Sequence, residues 1–237
     1  MTRPTVVTVA ALVLLSACGG GAGRSTGEVD PAAQSLGTPV TTATTVATTT
    51  TTATTTTTAA PPATASAAPA YGTVVVTGTP LPPTPRSGPD GAVGSRIPGL
   101  TGHDFSGAPV TIEADGNATM IVFLAHWCPH CRRELPIVQT WLEETPPPEN
   151  VDVYAVATLT RPDRDNFPPA PWFDREGWTA PVVVDDETDS AASAYGLTAV
   201  PFWIIADDEG RLVARGSGAV PPTVLTEIAE SIADPAA

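Results

Sequence analysis

The stretch Met120 to Ala125, MIVFLA, is a continuous apolar run with β-branched members that feeds without a break into HWCPHC, residues 126 to 131. No other feature constrains the chain as much. A run of this length and kind has the look of a strand buried on both faces, since a half-exposed strand would alternate. From Cys128 the pattern becomes helical, with Ile137, Val138, Trp141 and Leu142 recurring at helix spacing until Thr145-Pro-Pro-Pro stops it. The rest of the pattern is consistent with that start. VDVYAVA (151–157) and VVV (182–184) read as strands, Ser190 to Tyr195 as a short helix ended by Gly196, and Phe202 to Ala206 as a strand. Asp208-Glu209-Gly210 then reverses the chain into Arg211–Arg215 as a hairpin, and Pro222 to Ala233 places Val224, Leu225, Ile228 and Ile232 on one helical face. Residues 161–178 are an insertion rich in Pro, Arg and Asp, with a short helix expected in PWFDREGW. Strands alternating with helices and ending in a hairpin imply an α/β fold with a mixed central sheet flanked by helices.

That fold can occupy only part of the 237 residues. All five Trp and all five Phe lie after residue 92, whereas residues 1 to 92 are dominated by Thr, Ala, Pro and Gly. The expected organisation is a signal peptide at 1–17, a disordered linker at 18–92 and one domain at 93–237, whose roughly 145 residues suit a single core. The start, MTRPTVVTVAALVLLSAC, has one Arg, an apolar run too short to span a membrane comfortably, and then Ser-Ala-Cys. Leu15-Ser16-Ala17-Cys18 resembles the lipobox of bacterial lipoproteins, which implies that Cys18 is lipidated and that the protein is anchored to the outer face of the cytoplasmic membrane. An ordinary secretory signal is the alternative. Residues 41 to 58 contain 14 Thr, and Pro-rich pieces follow. A flexible coil of roughly 74 residues from Gly19 would reach about 45–50 Å. Within it YGTVVV, from Tyr71 to Val76, could pair as an isolated strand.

The net charge of -14 belongs to the domain, because the first 92 residues balance Arg3, Arg24 and Arg86 against Glu28, Asp30 and Asp90. Such a surface repels phosphate backbones and offers no basic patch to anionic lipid, so nucleic acid is not an expected partner. The chain has no Lys, which excludes Schiff-base chemistry and a P-loop lysine.

A Cys-x-x-Cys pair at a strand-to-helix junction puts Cys128 at a helix N-terminus, where unpaired amides and the dipole stabilise a thiolate, the attacking species in disulfide exchange. Cys131 lies nearly a turn further in, close enough to resolve a mixed disulfide. A second reading takes His126, Cys128, His130 and Cys131 as ligands for copper or zinc delivery. Neighbours so close in sequence rarely converge on one ion without a second ligand segment, and His103 has no cysteine nearby. His126 is expected on the surface beside the cysteines, and no bound cofactor or metal is expected.

FLAHWCPHCRRELP and YGLTAVPFWIIADDEGRLVARGSG together resemble the thioredoxin superfamily over residues 93–237, and most of all its membrane-anchored TlpA/ResA-type thiol-disulfide oxidoreductases. The resemblance implies a thioredoxin-like fold and an extracytoplasmic enzyme acting on exported proteins with cysteine thiols or disulfides, served by a membrane redox partner of unknown identity. Pro136 falls where that family bends its active-site helix. Pro201 falls at its cis-proline, with Val200 offering backbone to a client; Trp127 and Pro129 would flank the client and shield the cysteines. Trp172, Phe173 and Trp178 are expected to pack over the core, or else to line a client groove. Val122 stands where thioredoxins carry a buried acid. Glu134, three residues after Cys131, matches ResA-like proteins and either manages the Cys131 proton or is a solvated carboxylate pairing with a nearby Arg. Cys-Pro-His-Cys is the motif of DsbA-like oxidases, which implies that His130 helps stabilise the Cys128 thiolate and that the pair oxidises or isomerises its clients. The overall block instead resembles reductases that serve cytochrome c maturation.

Overall fold

The computed structural model of the chain describes residues 68–234. The expected signal peptide, Cys18 and the Thr tract lie outside the described residues. Among those described, no helix is long and apolar enough to cross a membrane.

Two sheets form. The first is antiparallel, in the order β1-β2-β3, from β1 (Val75–Thr77), β2 (Gly99–His103) and β3 (Pro109–Ile112). The second has β4 (Ala118–Leu124) at its centre, between β5 (Val151–Ala157) and β7 (Phe202–Ala206), with β6 (Val182–Val184) and β8 (Leu212–Ser217) at the edges. β5 pairs parallel to β4 and to β6, while β7 pairs antiparallel to β4 and β8, so the sheet is mixed. Every residue of β4 is buried, as its unbroken apolar run demands.

Successive side chains leave a strand on opposite faces, and β4 thereby builds two cores. Met120, Val122 and Leu124 pack with α1 (Pro129–Glu144), α4 (Pro222–Ala233) and Trp172 and Phe173 of α2 (Ala170–Arg175). Ile121 and Phe123 pack on the other side with α3 (Ser190–Ala194), with Leu100 of β2 and Ile112 of β3, and with Leu81 and Ala92. Trp172 and Phe173 are therefore core residues, and part-buried Trp178 packs against the same core.

The expected boundary at residue 92 is corrected. β1 pairs in register with β2, Val75 opposite Thr101, instead of standing as an isolated strand. The Gly72 amide donates to Asp185 O at 2.9 Å, Leu81 N to Ala194 O at 2.8 Å and Thr84 N to Gly196 O at 3.0 Å. Asp90 forms a two-point ion pair with Arg215. This Pro-rich segment has linker composition but covers the second core with a few apolar side chains, Leu81 foremost. Gly196 ends α3 at φ 69°, and a Cβ there would lie 2.2 Å from Pro82 O, so only glycine permits the contact.

Candidate active site

β4 delivers the chain to the site. The Cys128 amide donates to Ala125 O at 3.0 Å, closing a tight turn, and Cys128 becomes the N-cap of α1. Pro129 occupies the first helical position, where its missing N–H costs nothing. Arg132 N donates to Cys128 O at 3.0 Å, the first helical bond. Pro136 lies inside the helix, where it removes a backbone donor.

Both cysteines are free thiols, but their access differs. Cys128 is 6% exposed and Cys131 fully buried. The Cys128 thiol donates to Val200 O at 3.5 Å, across the cis Val200–Pro201 bond's loop, which is tied to β8 by Gly218 N donating to Pro201 O at 2.8 Å. The Cys131 sulfur accepts from the Ala125 amide at 3.5 Å. Burial above all pushes the Cys131 thiol well above its ordinary value, and the neighbouring Cys128 and the Glu134 charge push the same way.

Glu134 is 1% exposed. Its Oε1 accepts from Val220 N at 2.9 Å and Trp203 Nε1 at 3.3 Å, so the solvated carboxylate paired with Arg is ruled out. Burial raises its carboxyl above the usual range, opposed by those two donors. Val122 lies in the same apolar cluster as Cys131 and leaves the strand without an acid.

The histidines diverge. His126, expected at the surface, is buried. Its Nδ1–H donates to Asp165 O at 2.6 Å while Nε2 accepts from Arg161 N at 3.1 Å, the pattern of a neutral ring. Burial lowers its pKa. Asn166 Nδ2 in turn donates to His126 O at 3.0 Å, so the 161–166 loop is latched to the residue two before Cys128. His130 is exposed and accepts from Arg133 Nη2 at 3.0 Å; no hydrogen bond joins it to the Cys128 sulfur. The four side chains of HWCPHC read as ligands therefore do not converge, and among the described residues there is no group of three His, Cys, Asp or Glu that could hold an ion. Part-buried Trp127 donates to Leu159 O at 2.7 Å, and the Arg164 guanidinium lies 5.4 Å from its ring centre. These loop partners carried no motif; only the density of Arg, Asp and Pro marked the segment.

Residues 92–234 match the Redoxin family. The chain belongs to it. The chain is 25% identical over 131 residues to the thiol-disulfide oxidoreductase ResA of Halalkalibacterium halodurans, covering 55% of this chain and 71% of that protein. Among solved structures, a putative thiol:disulfide interchange protein DsbE from Chlorobium tepidum superposes with a TM-score of 0.50 at 18% identity, over 59% of this chain and 96% of its own. StoA from Bacillus subtilis gives 0.45 at 21% identity, over 52% and 89%. The thioredoxin-like fold of this Redoxin chain agrees with the expectation from sequence.

Proposed function

We propose that the chain is a protein thiol-disulfide oxidoreductase that oxidises or isomerises cysteines of exported proteins through Cys128 and Cys131. The observation that carries this reading is the unequal access of two sulfurs one helical turn apart, one at the rim against Val200 O and one sealed beneath it. In the disulfide form, a client thiolate attacks Cys128 Sγ and the Cys128–Cys131 bond breaks. Cys131 leaves, and because burial disfavours its thiolate it takes a proton, which Glu134 supplies. A second client thiolate then attacks the client sulfur of the mixed disulfide, closing the client's own bond and freeing Cys128. The client loses two electrons and the enzyme gains them. The backbone at Val200, before Pro201, seats the client, with Trp127 and Pro129 beside it.

The oxidising direction rests on Pro129-His130 and on charge. A positive helix end stabilises the reduced dithiol relative to the disulfide, and Arg133, bound to His130, adds a cation at that end of α1. His130 thus acts with Arg133 rather than by contact with the sulfur. Extracytoplasmic anchoring through Cys18 follows from the Leu15–Cys18 sequence, and a Cys18→Ser variant released from membranes by a carbonate wash tests it. A reductase acting on disulfides of apocytochrome clients is the second reading; it rests on the resemblance of the overall block to ResA-type proteins, and buried Glu134 next to Cys131 suits either direction.

Equilibration of the Cys128–Cys131 pair against glutathione buffers decides between them. A potential nearer about -120 mV supports the oxidant, and one near about -270 mV supports the reductase. A pair that does not equilibrate refutes both.

A further inference from the structure

The domain is acidic, yet guanidinium groups gather beside Cys128. A pocket of about 340 Å³ opens next to the active-site turn, walled by Pro129 of the motif, Trp172, Asn166 and three arginines, Arg132, Arg133 and Arg175. Its one carboxylate is Glu176, held by Arg175 Nε at 3.5 Å. The other polar contacts of these arginines are few. Arg132 meets Asp165 at 3.5 Å, on a carboxylate 84% exposed to water; Arg133 meets His130, and Arg175 Nη2 meets Asn166 Oδ1 at 3.1 Å. Each guanidinium carries five N–H donors, so most remain unused. A second observation is independent of the charges. Trp172 is 1% exposed, and its indole N–H has no partner, an arrangement that costs free energy unless an acceptor arrives.

We propose that this pocket binds a carboxylate carried next to the reacting sulfur of the incoming disulfide or thiol, seating it against Cys128. The proposal rests on the exchange chemistry above and adds a selectivity to it. Planar guanidinium forks match a carboxylate in two-point fashion, and Pro129, the residue after Cys128, is itself a wall, so a bound acid lies next to the active-site turn. For an incoming disulfide the exchange runs in the reverse sense of the client oxidation above, and it reoxidises the enzyme. Cys128 Sγ bonds to one sulfur of the incoming disulfide, the other leaves as a thiolate, and Cys131 then displaces the bound half. The enzyme dithiol is oxidised and two substrate thiols form, carrying the two protons.

The overall charge makes the test demanding, because a net charge of -14 slows anions in general whereas the pocket favours them. The reduced full chain is mixed with two matched pairs of disulfides: a short peptide dimer with Glu on both sides of its cysteine against the same peptide with Gln, and oxidised glutathione against its ethyl ester. Oxidation of the dithiol is followed by stopped-flow fluorescence. In at least one pair the carboxylate form is expected to react about tenfold faster, the size of one charge-assisted two-point contact. The pair that shows it identifies the source as an acidic client segment or a small thiol. In Arg132→Gln/Arg175→Gln the ratio falls to one or below, whereas Arg86→Gln/Arg96→Gln, with the same charge removed elsewhere, keeps it. A wild-type ratio of one or less in both pairs overturns the pocket while leaving the exchange activity standing, and so does an equal fall in both double variants. No reaction with any of the four disulfides refutes the activity and the pocket together.

Discussion

Replacing Asp90 by Ala is expected to cost the domain about 3 kcal/mol, although Asp90 lies in a segment that reads as linker. The Arg215 side chain is 0% exposed and Asp90's only 16%. Nε donates to Oδ2 at 2.6 Å and Nη2 to Oδ1 at 3.1 Å, while Nη1 reaches Tyr195 O at 2.9 Å. Removing the carboxylate leaves a buried guanidinium with one protein acceptor, and breaking a buried pair in this way costs about 3–5 kcal/mol. The residual exposure on the Asp90 side admits water to the orphaned donors, which places the loss at the lower end. The amide of Ala92, which donates to Asp90 Oδ1 at 3.0 Å, loses its partner as well. Urea unfolding is the assay; with a slope of about 2 kcal/mol per molar, the midpoint should fall by about 1.5 M. Arg215→Met added to Asp90→Ala should recover part of the loss, since no unpaired charge is then left buried. The Arg215 hydrogen bonds hold the Asp90 carboxyl below its ordinary value of 3.8. The contribution is therefore complete above that value and is lost only as pH falls through the lowered one, so wild type and variant converge in acid. A loss below about 1 kcal/mol at neutral pH would show that the pair is solvated and that residues 71–92 contribute little to the fold.

Glu134→Gln keeps an oxygen for Val220 and Trp203 but removes the titration. Burial raises the folded carboxyl above 4.5, so the wild-type contribution to stability falls as pH rises through the raised value, and the variant's advantage in urea midpoint should grow over that window. The same variant should slow Cys131 release by about 100-fold in stopped-flow exchange, and an unchanged rate would remove the proton from Glu134's role. His126 shows the opposite sign: its folded pKa is below 6.5, so its contribution is present above 6.5 and is lost as pH falls through that range, because the unfolded ring takes up the proton first. His126→Gln should flatten the fall in stability between about pH 7 and 5 in urea titrations. Cys131→Ser should trap client proteins on Cys128 as mixed disulfides on non-reducing gels, and Cys128→Ser should trap none.

Much of the fold was legible because its elements carry strong periodicity. β5, β6, β7 and α4 occupy the spans expected for them, since runs such as VDVYAVA admit one reading, although α4 buries Leu225, Ala229 and Ile232 and leaves Val224 of the expected stripe exposed. The first sheet was not legible. GLTGH buries only Leu100 and Gly102, and PVTI only Ile112, so neither strand has enough apolar side chains to stand out from a loop. Their stability comes from packing on Phe123 and Tyr195, which sequence spacing does not announce. Cys128 and Cys131 were evident from their motif, and Pro201 from its block. His126 was misplaced because no pattern in the sequence shows that a loop 35 residues on folds back to satisfy both ring nitrogens.

The same long-range closure explains how the site does without an acid at Val122. A carboxylate on β4 would be delivered by the strand itself, at a position fixed by the sheet. Glu134 instead comes from α1, and a helical side chain near a rim would ordinarily swing to water. It is kept inside because two distant elements reach it, the Trp203 indole from β7 and the Val220 amide just before α4. Both donors come from the segment that follows Pro201, so the loop that faces Cys128 and the groups that hold Glu134 belong to one continuous stretch of chain. Val122, being apolar, keeps the surroundings of Cys131 dry, and that dryness raises both the thiol and the carboxyl. A second acid on the strand would add a like charge to a site already holding one, and water would follow it. One carboxyl, borrowed from the helix and held by β7 and the turn before α4, supplies a proton where the buried sulfur needs it without opening the core.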